Sequence, residues 1–289
     1  MRSVRTDVAS EWITDGEKVR GVRYAVREKE GIRIEKLRIL NEEGEKAIGK
    51  PIGQYVTLNF PCIWKCRPEL FDALLRRAAK EIRTLALPMI GEKEKTLLIV
   101  GLGNRLITSD AVGPQTVDAI TVTRHLKTGD RSLFDLLGSW SIAAICPGVV
   151  GQTGIETSEL VREAADAVKP SLIIVIDALA SKSVDRLATT LQFSDTGLAP
   201  GSGIGNRRRP LTKEALGIPV LAIGVPTIVD SASLVYDALD RAGISEENEK
   251  LDEILRNGRS FFVTLKENDV VIAEYSRLIA GAISAAFAE

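Results

Sequence analysis

Two unbroken apolar runs constrain this chain more than anything else in it. Residues 97–100 (LLIV) and 172–176 (LIIVI) hold no polar side chain and do not alternate. Short runs of that kind suit strands covered on both faces, as in a parallel sheet between helices. The first turns on Gly101 and Gly103 and delivers Asn104, Thr108, Ser109 and Asp110 ahead of a helical pattern. The second leads straight into Asp177. In open α/β sheets the reactive groups gather outside the carboxyl ends of the strands. Asp110 and Asp177 are therefore expected to meet in one crevice.

The remaining segments supply the layers. Residues 1–18 are polar and aperiodic and read as a mobile arm. Residues 21–28, 32–40 and 55–60 are β-rich and separated by turn signals, which predicts an antiparallel extension on the sheet edge. Pro68 opens a helix whose buried face is expected to run Leu70, Phe71, Leu74, Leu75, Ala78, Ile82 and Leu85. Further helices are predicted over 113–126, over 155–168 behind a Thr153–Glu156 capping box, over 231–242, and from Glu267 onward. Strands are predicted at 141–146, 185–193, 219–224 and 261–265, with a charged linker at 246–259. Strand–helix alternation at this spacing predicts an α/β three-layer sandwich with a mostly parallel sheet, residues 19–289 forming a single domain.

Composition narrows the function classes. The 289 residues are 45% apolar and 27% charged, an ordinary globular balance. A formal net charge of −1 gives no basis for wholesale binding of nucleic acid. No run approaches the roughly 20 apolar residues that span a bilayer, and MRSVRTDVASEW has no signal core. A cytoplasmic protein without membrane contact is the expectation. Cys62, Cys66 and Cys146 lack zinc-ligand spacing. His125 is the sole histidine, which excludes a site built from several, and no metal or cofactor is expected.

The chemistry then rests on carboxylates. The GLGN at 101–104 lacks the third glycine of a dinucleotide fingerprint, and no phosphate-loop Lys–Ser/Thr pair follows. Asp110 reads equally as a helix N-cap or as an anion whose pKa a helix N-terminus lowers. Asp177, leaving an apolar strand, is expected to have its pKa raised by desolvation. Two carboxylates pushed apart in this way make an acid and a base able to activate water and protonate a leaving amine. Asp195 and Asp230 are weaker candidates, the latter as a helix cap. The long glycine-rich loop over 197–209 is a candidate substrate flap.

The segments RTDVASE (5–11), GKPIGQYVTL (49–58), VGLGN (100–104), TSDAVGP (108–114), VTRHL (122–126), PGVVGQTGIET (147–157), IDALA (176–180), SDTGLAPGSGIGNRR (194–208) and AIGVPTIVD (222–230) together resemble the germination proteases of endospore-forming bacteria. The resemblance runs nearly the whole length. It implies a core similar to the hydrogenase-maturation endopeptidases and an atypical aspartic endopeptidase without metal, whose two aspartates match Asp110 and Asp177. It further implies a homotetramer made as a zymogen, located in the spore core, that initiates degradation of small acid-soluble spore proteins during germination. The family cuts after an acidic residue, in its substrates and in itself. Thr6-Asp7-Val8-Ala9-Ser10-Glu11 matches that site, so Asp7–Val8 is the implied autocleavage bond and residues 1–7 the pro-segment. Acidic residues around the cut call for basic partners: Arg124, His125, Arg207 and Arg208 are candidates from charge, with Asn104 beside them in the loop before Asp110. Ser109 stands where the family has proline. Two other readings compete: a metal-recognising maturation peptidase of the same fold, and an inactive relative that binds spore proteins without cutting them.

Overall fold

The computed structural model describes residues 6–91, 95–137, 140–201, 208–244, 249–257 and 261–288. Among them, nine strands form one sheet: β1 (Val22–Lys29), β2 (Ile32–Ile39), β3 (Gly53–Asn59), β4 (Thr96–Gly101), β5 (Ser141–Ile145), β6 (Leu172–Ser181), β7 (Thr190–Ser194), β8 (Val220–Asp230) and β9 (Phe262–Val263). The order is β1-β2-β3-β7-β8-β6-β4-β5, with β9 beside β8. The central strands β8, β6, β4 and β5 are mutually parallel. The N-terminal strands and β7 extend the sheet antiparallel. This is the expected α/β arrangement with its N-terminal extension.

The helices follow in chain order: α1 (Glu42–Ile48), α2 (Pro68–Ile90), α3 (Val112–Ala119), α4 (Leu126–Gly129), α5 (Arg131–Leu137), α6 (Val150–Thr153), α7 (Thr157–Val168), α8 (Lys213–Leu216), α9 (Ser231–Arg241), α10 (Glu249–Asn257) and α11 (Asn268–Phe287). One face of the sheet meets α2, α3 and α11 in the largest core, which includes Leu74, Ile82, Leu97, Ile99, Ile174, Ile223, Tyr275 and Leu278. Each such fully buried aliphatic contributes about 1.5–3 kcal/mol. Helix α11 is long and apolar enough to cross a membrane by length and composition. Here it is the core helix, and the buried Tyr275 hydroxyl donates to Thr190 O at 2.9 Å and accepts from Thr190 N at 3.0 Å.

The other face is covered in two separate patches. Val161 and Ala165 of α7 cover Leu98, Val100, Ile173 and Val175. Ala9, Ile13 and Ile48 cover Leu37, Ile39 and Tyr55. Between the patches lies a trough over Asp177 and Leu179 of β6, Ala222 and Gly224 of β8, and Gln192 and Ser194 of β7.

Several expectations change on inspection. The helix expected over 113–126 stops at Ala119. Ile120 turns extended, in a run of β-branched residues with poor helix propensity, and Thr123 and Arg124 donate their N–H groups to Ile142 O. The capping box is absent: Glu156 makes no cap bond, and Thr153 Oγ1 instead accepts from Ile155 N at 3.1 Å. The strand expected over 185–193 begins only at Thr190, after a 3-10 turn at Val184–Arg186 and Ala188 at φ 60°. The stretch 41–53, read as a turn, holds α1, capped by Asn41 Oδ1 accepting from Gly44 N. The 246–259 linker contains α10. Residues 6–13, read as part of a mobile arm, are docked: Val8 and Ala9 have no exposed surface, because the segment carries its own apolar side chains and hydrogen-bonding partners.

Candidate active site

Asp177 sits where β6 outruns its neighbour. Strand β4 ends at Gly101, opposite Ile176, so residues 177–181 continue with β8 alone. The Asp177 side chain lies on the same face as Ile173 and Val175, at the edge of the α7 patch, and is 8% exposed. Its Oδ1 accepts from Ala178 N at 3.0 Å. Asp110 arrives from the loop after β4, ending the 3-10 turn Thr108–Asp110. Its Oδ2 accepts from Asn104 N at 2.7 Å. Gly103, at φ 115°, makes that fold-back possible: a Cβ there would lie 2.0 Å from Asp110 O. Both aspartates line one cavity of about 260 Å³, together with Asp7, Gly148, Arg208 and Phe262.

Electrostatics tie the pair together. Burial pushes the Asp177 carboxyl well above the usual carboxylate range, and the charges of Asp110 and Asp7 push the same way against the Ala178 N–H and Arg208. Asp110 is also raised, by burial first, against the Asn104 N–H and Arg208. The expected lowering of Asp110 by a helix N-terminus does not occur, because the N-cap of α3 is Ala111 and Asp110 makes no cap bond. The half-buried Asp110 thus adds to the burial that favours the neutral form of Asp177.

The N-terminal segment crosses the trough. Asp7 N donates to Ala180 O at 2.8 Å, and Asp7 Oδ2 accepts from Ala180 N at 3.1 Å. Gln192 reaches across the next peptide bond, Oε1 accepting from Ala9 N at 2.7 Å and Nε2 donating to Asp7 O at 3.3 Å. Glu11 accepts from Lys182 N and Ser183 N at 2.8 and 3.0 Å, and from the Thr6 hydroxyl. Lys50 Nζ donates to Thr6 O at 3.3 Å. Burial lowers the Lys50 pKa, while the charges of Asp7 and Glu11 favour its cation. A second cavity, about 280 Å³, lies on the other side of Asp7 and is lined by Lys50, Tyr55, Asp177, Leu179, Gln192 and Gly224 among others.

The residues predicted from charge fare unevenly. Arg208 lines the Asp110–Asp177 cavity. Arg207 lies outside the described residues. Arg124 and His125 are exposed and sit beside Ile142, at the start of β5, with Arg124 donating to Ala167 O at the end of α7. That is the opposite end of the sheet from Asp177, because the connection between the parallel strands β4 and β5 returns from the carboxyl rim to the amino end of β5. The Asn104 carboxamide oxygen accepts from Leu106 N and Gln152 Nε2, so its side chain braces the loop while its backbone holds Asp110. Asp195 serves Gln54, and Asp230 caps α9 as expected. Charge-based reasoning passed over Lys50 and Gln192. The acidic pair Asp7 and Glu11 was the available signal for Lys50, whereas nothing along the chain singles out Gln192. Among the described residues, no three His, Cys, Asp or Glu side chains come together as a metal-binding group.

A three-layer α/β domain with ionisable groups in a cleft at the carboxyl rim of its parallel strands has the build of an enzyme, and comparison with known proteins makes that enzyme a peptidase. The family model described as "Germination protease" matches residues 2–245. A germination protease of Caldanaerobacter subterraneus subsp. tengcongensis is 45% identical over 240 residues, covering 82% of this chain and 72% of that one. Those of Clostridium perfringens and Clostridium tetani are 42% and 38% identical, covering 83% and 92% of this chain and 71% and 81% of theirs. The chain belongs to the germination protease family. Among solved structures, a NiFe hydrogenase maturation protease, HycI from Thermococcus kodakarensis KOD1, is similar at 18% identity and a TM-score of 0.34, covering 66% of this chain and 94% of that one.

Proposed function

We propose that this chain is a self-processing endopeptidase, made as a zymogen, that cuts after an acidic residue through the Asp110–Asp177 pair. Small acid-soluble spore proteins are its substrates during germination, in the spore core, and the working form is a homotetramer. The observation that carries the proposal is the docking of Thr6–Glu11: a segment matching the family's cleavage pattern lies across the trough with Asp7 beside Asp177. Ala180 and Lys50 serve the acidic residue before the cut. The N–H groups of Lys182 and Ser183 serve the one at its far end, Glu11.

The chemistry needs one proton on the pair. The ionised carboxylate takes a proton from water as the water oxygen adds to the Asp7 carbonyl carbon. The protonated carboxyl then gives its proton to the Val8 nitrogen as the C–N bond breaks, and the pair ends with the proton count it began with. Asp110→Asn or Asp177→Asn should leave a folded chain that retains residues 1–7. Intact-mass measurement tests this, with Val8 as the N-terminus expected of the native sequence. Full self-processing by either folded variant would refute the pair.

A further inference from the structure

Resting on the reading that Asp7–Val8 is the bond cut, we propose that Gln192 is a catalytic residue that stabilises the negative oxygen formed on the Asp7 carbonyl during hydrolysis. Its carboxamide touches both sides of that bond, 2.7 Å to Ala9 N and 3.3 Å to Asp7 O. The orientation is fixed by chemistry: a backbone N–H only donates, so Oε1 faces Ala9 and the NH₂ group faces the Asp7 carbonyl.

The sheet builds this position rigidly. Gln192 is 7% exposed on β7, paired with Thr57 of β3 on one side and Gly224 of β8 on the other. Gly224 is also the partner of Asp177 on β6. Asp177, Gly224 and Gln192 thus form one row across three strands. At about 4.8 Å per strand, the outer two Cα atoms are about 10 Å apart. The middle residue has no side chain, and Leu179 fills its place, Cδ1 lying 2.3 Å from where a Cβ would be. The docked Asp7–Val8 peptide has the Asp177 carboxyl on one flank and the neutral Gln192 amide donor on the other.

That division of labour answers a need of the reaction. When water adds, the C=O electron pair moves onto oxygen and a negative charge develops there, while the carboxyl proton is needed at the Val8 nitrogen. A preorganised neutral donor stabilises that charge with no proton to move. The oxyanion then re-forms the carbonyl as the C–N bond breaks, leaving a carboxyl on Asp7 and an amine on Val8. Gln192 gains and loses no atoms.

Two full-length variants test it, with conversion at Asp7–Val8 followed by intact mass from pH 5 to pH 8. Gln192→Leu removes the donor and should slow conversion by about 10²–10³-fold, the usual effect of losing one such donor. Gln192→Glu keeps an acceptor for Ala9 N but carries a donor only when protonated. It should be as slow as Gln192→Leu at pH 8, and its rate relative to the native sequence should rise at least tenfold towards pH 5. Should Gln192→Leu fail to fold, the pH dependence of Gln192→Glu decides alone. A fall of less than tenfold in folded Gln192→Leu, or a Gln192→Glu ratio flat with pH, overturns the role while leaving Asp7–Val8 as the cut. An N-terminus other than Val8 in the native sequence overturns the cleavage reading and this role together.

Discussion

The burial of Asp177 sets a measurable pH slope on stability. The comparison is best made between Asp110→Asn and Asp110→Asn/Asp177→Asn, since both should keep an intact N-terminus. In the unfolded chain an aspartate loses its proton around the ordinary value of 3.8. In the fold, burial, the largest cause, holds the Asp177 proton to higher pH, and removing Asp110 leaves that cause in place. Between the two values the native state carries a proton the unfolded state has lost, so stability falls as pH rises. The slope is about 1.4 kcal/mol per pH unit. Below about pH 4 both states are protonated and the group costs nothing; above its native pKa the loss is complete. Asn does not titrate. The double variant should therefore match the single one near pH 4 and exceed it at pH 7, the gap opening by up to about 1.4 kcal/mol per unit in between. Urea unfolding at pH 4, 5, 6 and 7, read by tryptophan fluorescence, measures the gap. A constant gap would show that Asp177 is not held protonated by the fold.

Three further outcomes follow from the same geometry. Gly103→Ala forces a Cβ to within 2.0 Å of Asp110 O at a φ of 115°; self-processing should fall at least tenfold while the melting temperature drops only by the few degrees of about 1–3 kcal/mol. Lys50→Met removes the half-buried cation that feels the charges of Asp7 and Glu11, so native Lys50 should process an Asp7→Asn chain more slowly than the parent, and Lys50→Met should abolish that preference, as read by intact mass. Tyr275→Phe strips the partner from Thr190 N and O in the core, which should cost about 1–3 kcal/mol in urea unfolding without changing the cleavage position.

Much of the frame was legible along the chain because it depends on local pattern. Unbroken apolar runs announced β4 and β6, Pro68 announced α2, and the turn after Gly101 brought Asp110 to the rim, whereas β6 runs on through Asp177 to Ser181. Where local signals compete, reading failed. Ile120 and its β-branched neighbours ended α3 early, and the return crossover to the parallel strand β5 puts Arg124 and His125 at the far end of the sheet.

What the sequence alone determined is therefore the class of fold, the family, and the two aspartates worth watching, since each is carried by a contiguous stretch. Only the tertiary structure decided which cations and amides face them. Asp177, Gly224 and Gln192 are far apart in sequence and stand in one row solely because β6, β8 and β7 pair in that register. Lys50 reaches Thr6 O and feels the charge of Asp7 because the N-terminal segment folds back over the same trough. Strand register and segment docking are set by long-range packing, which no local run of residues encodes.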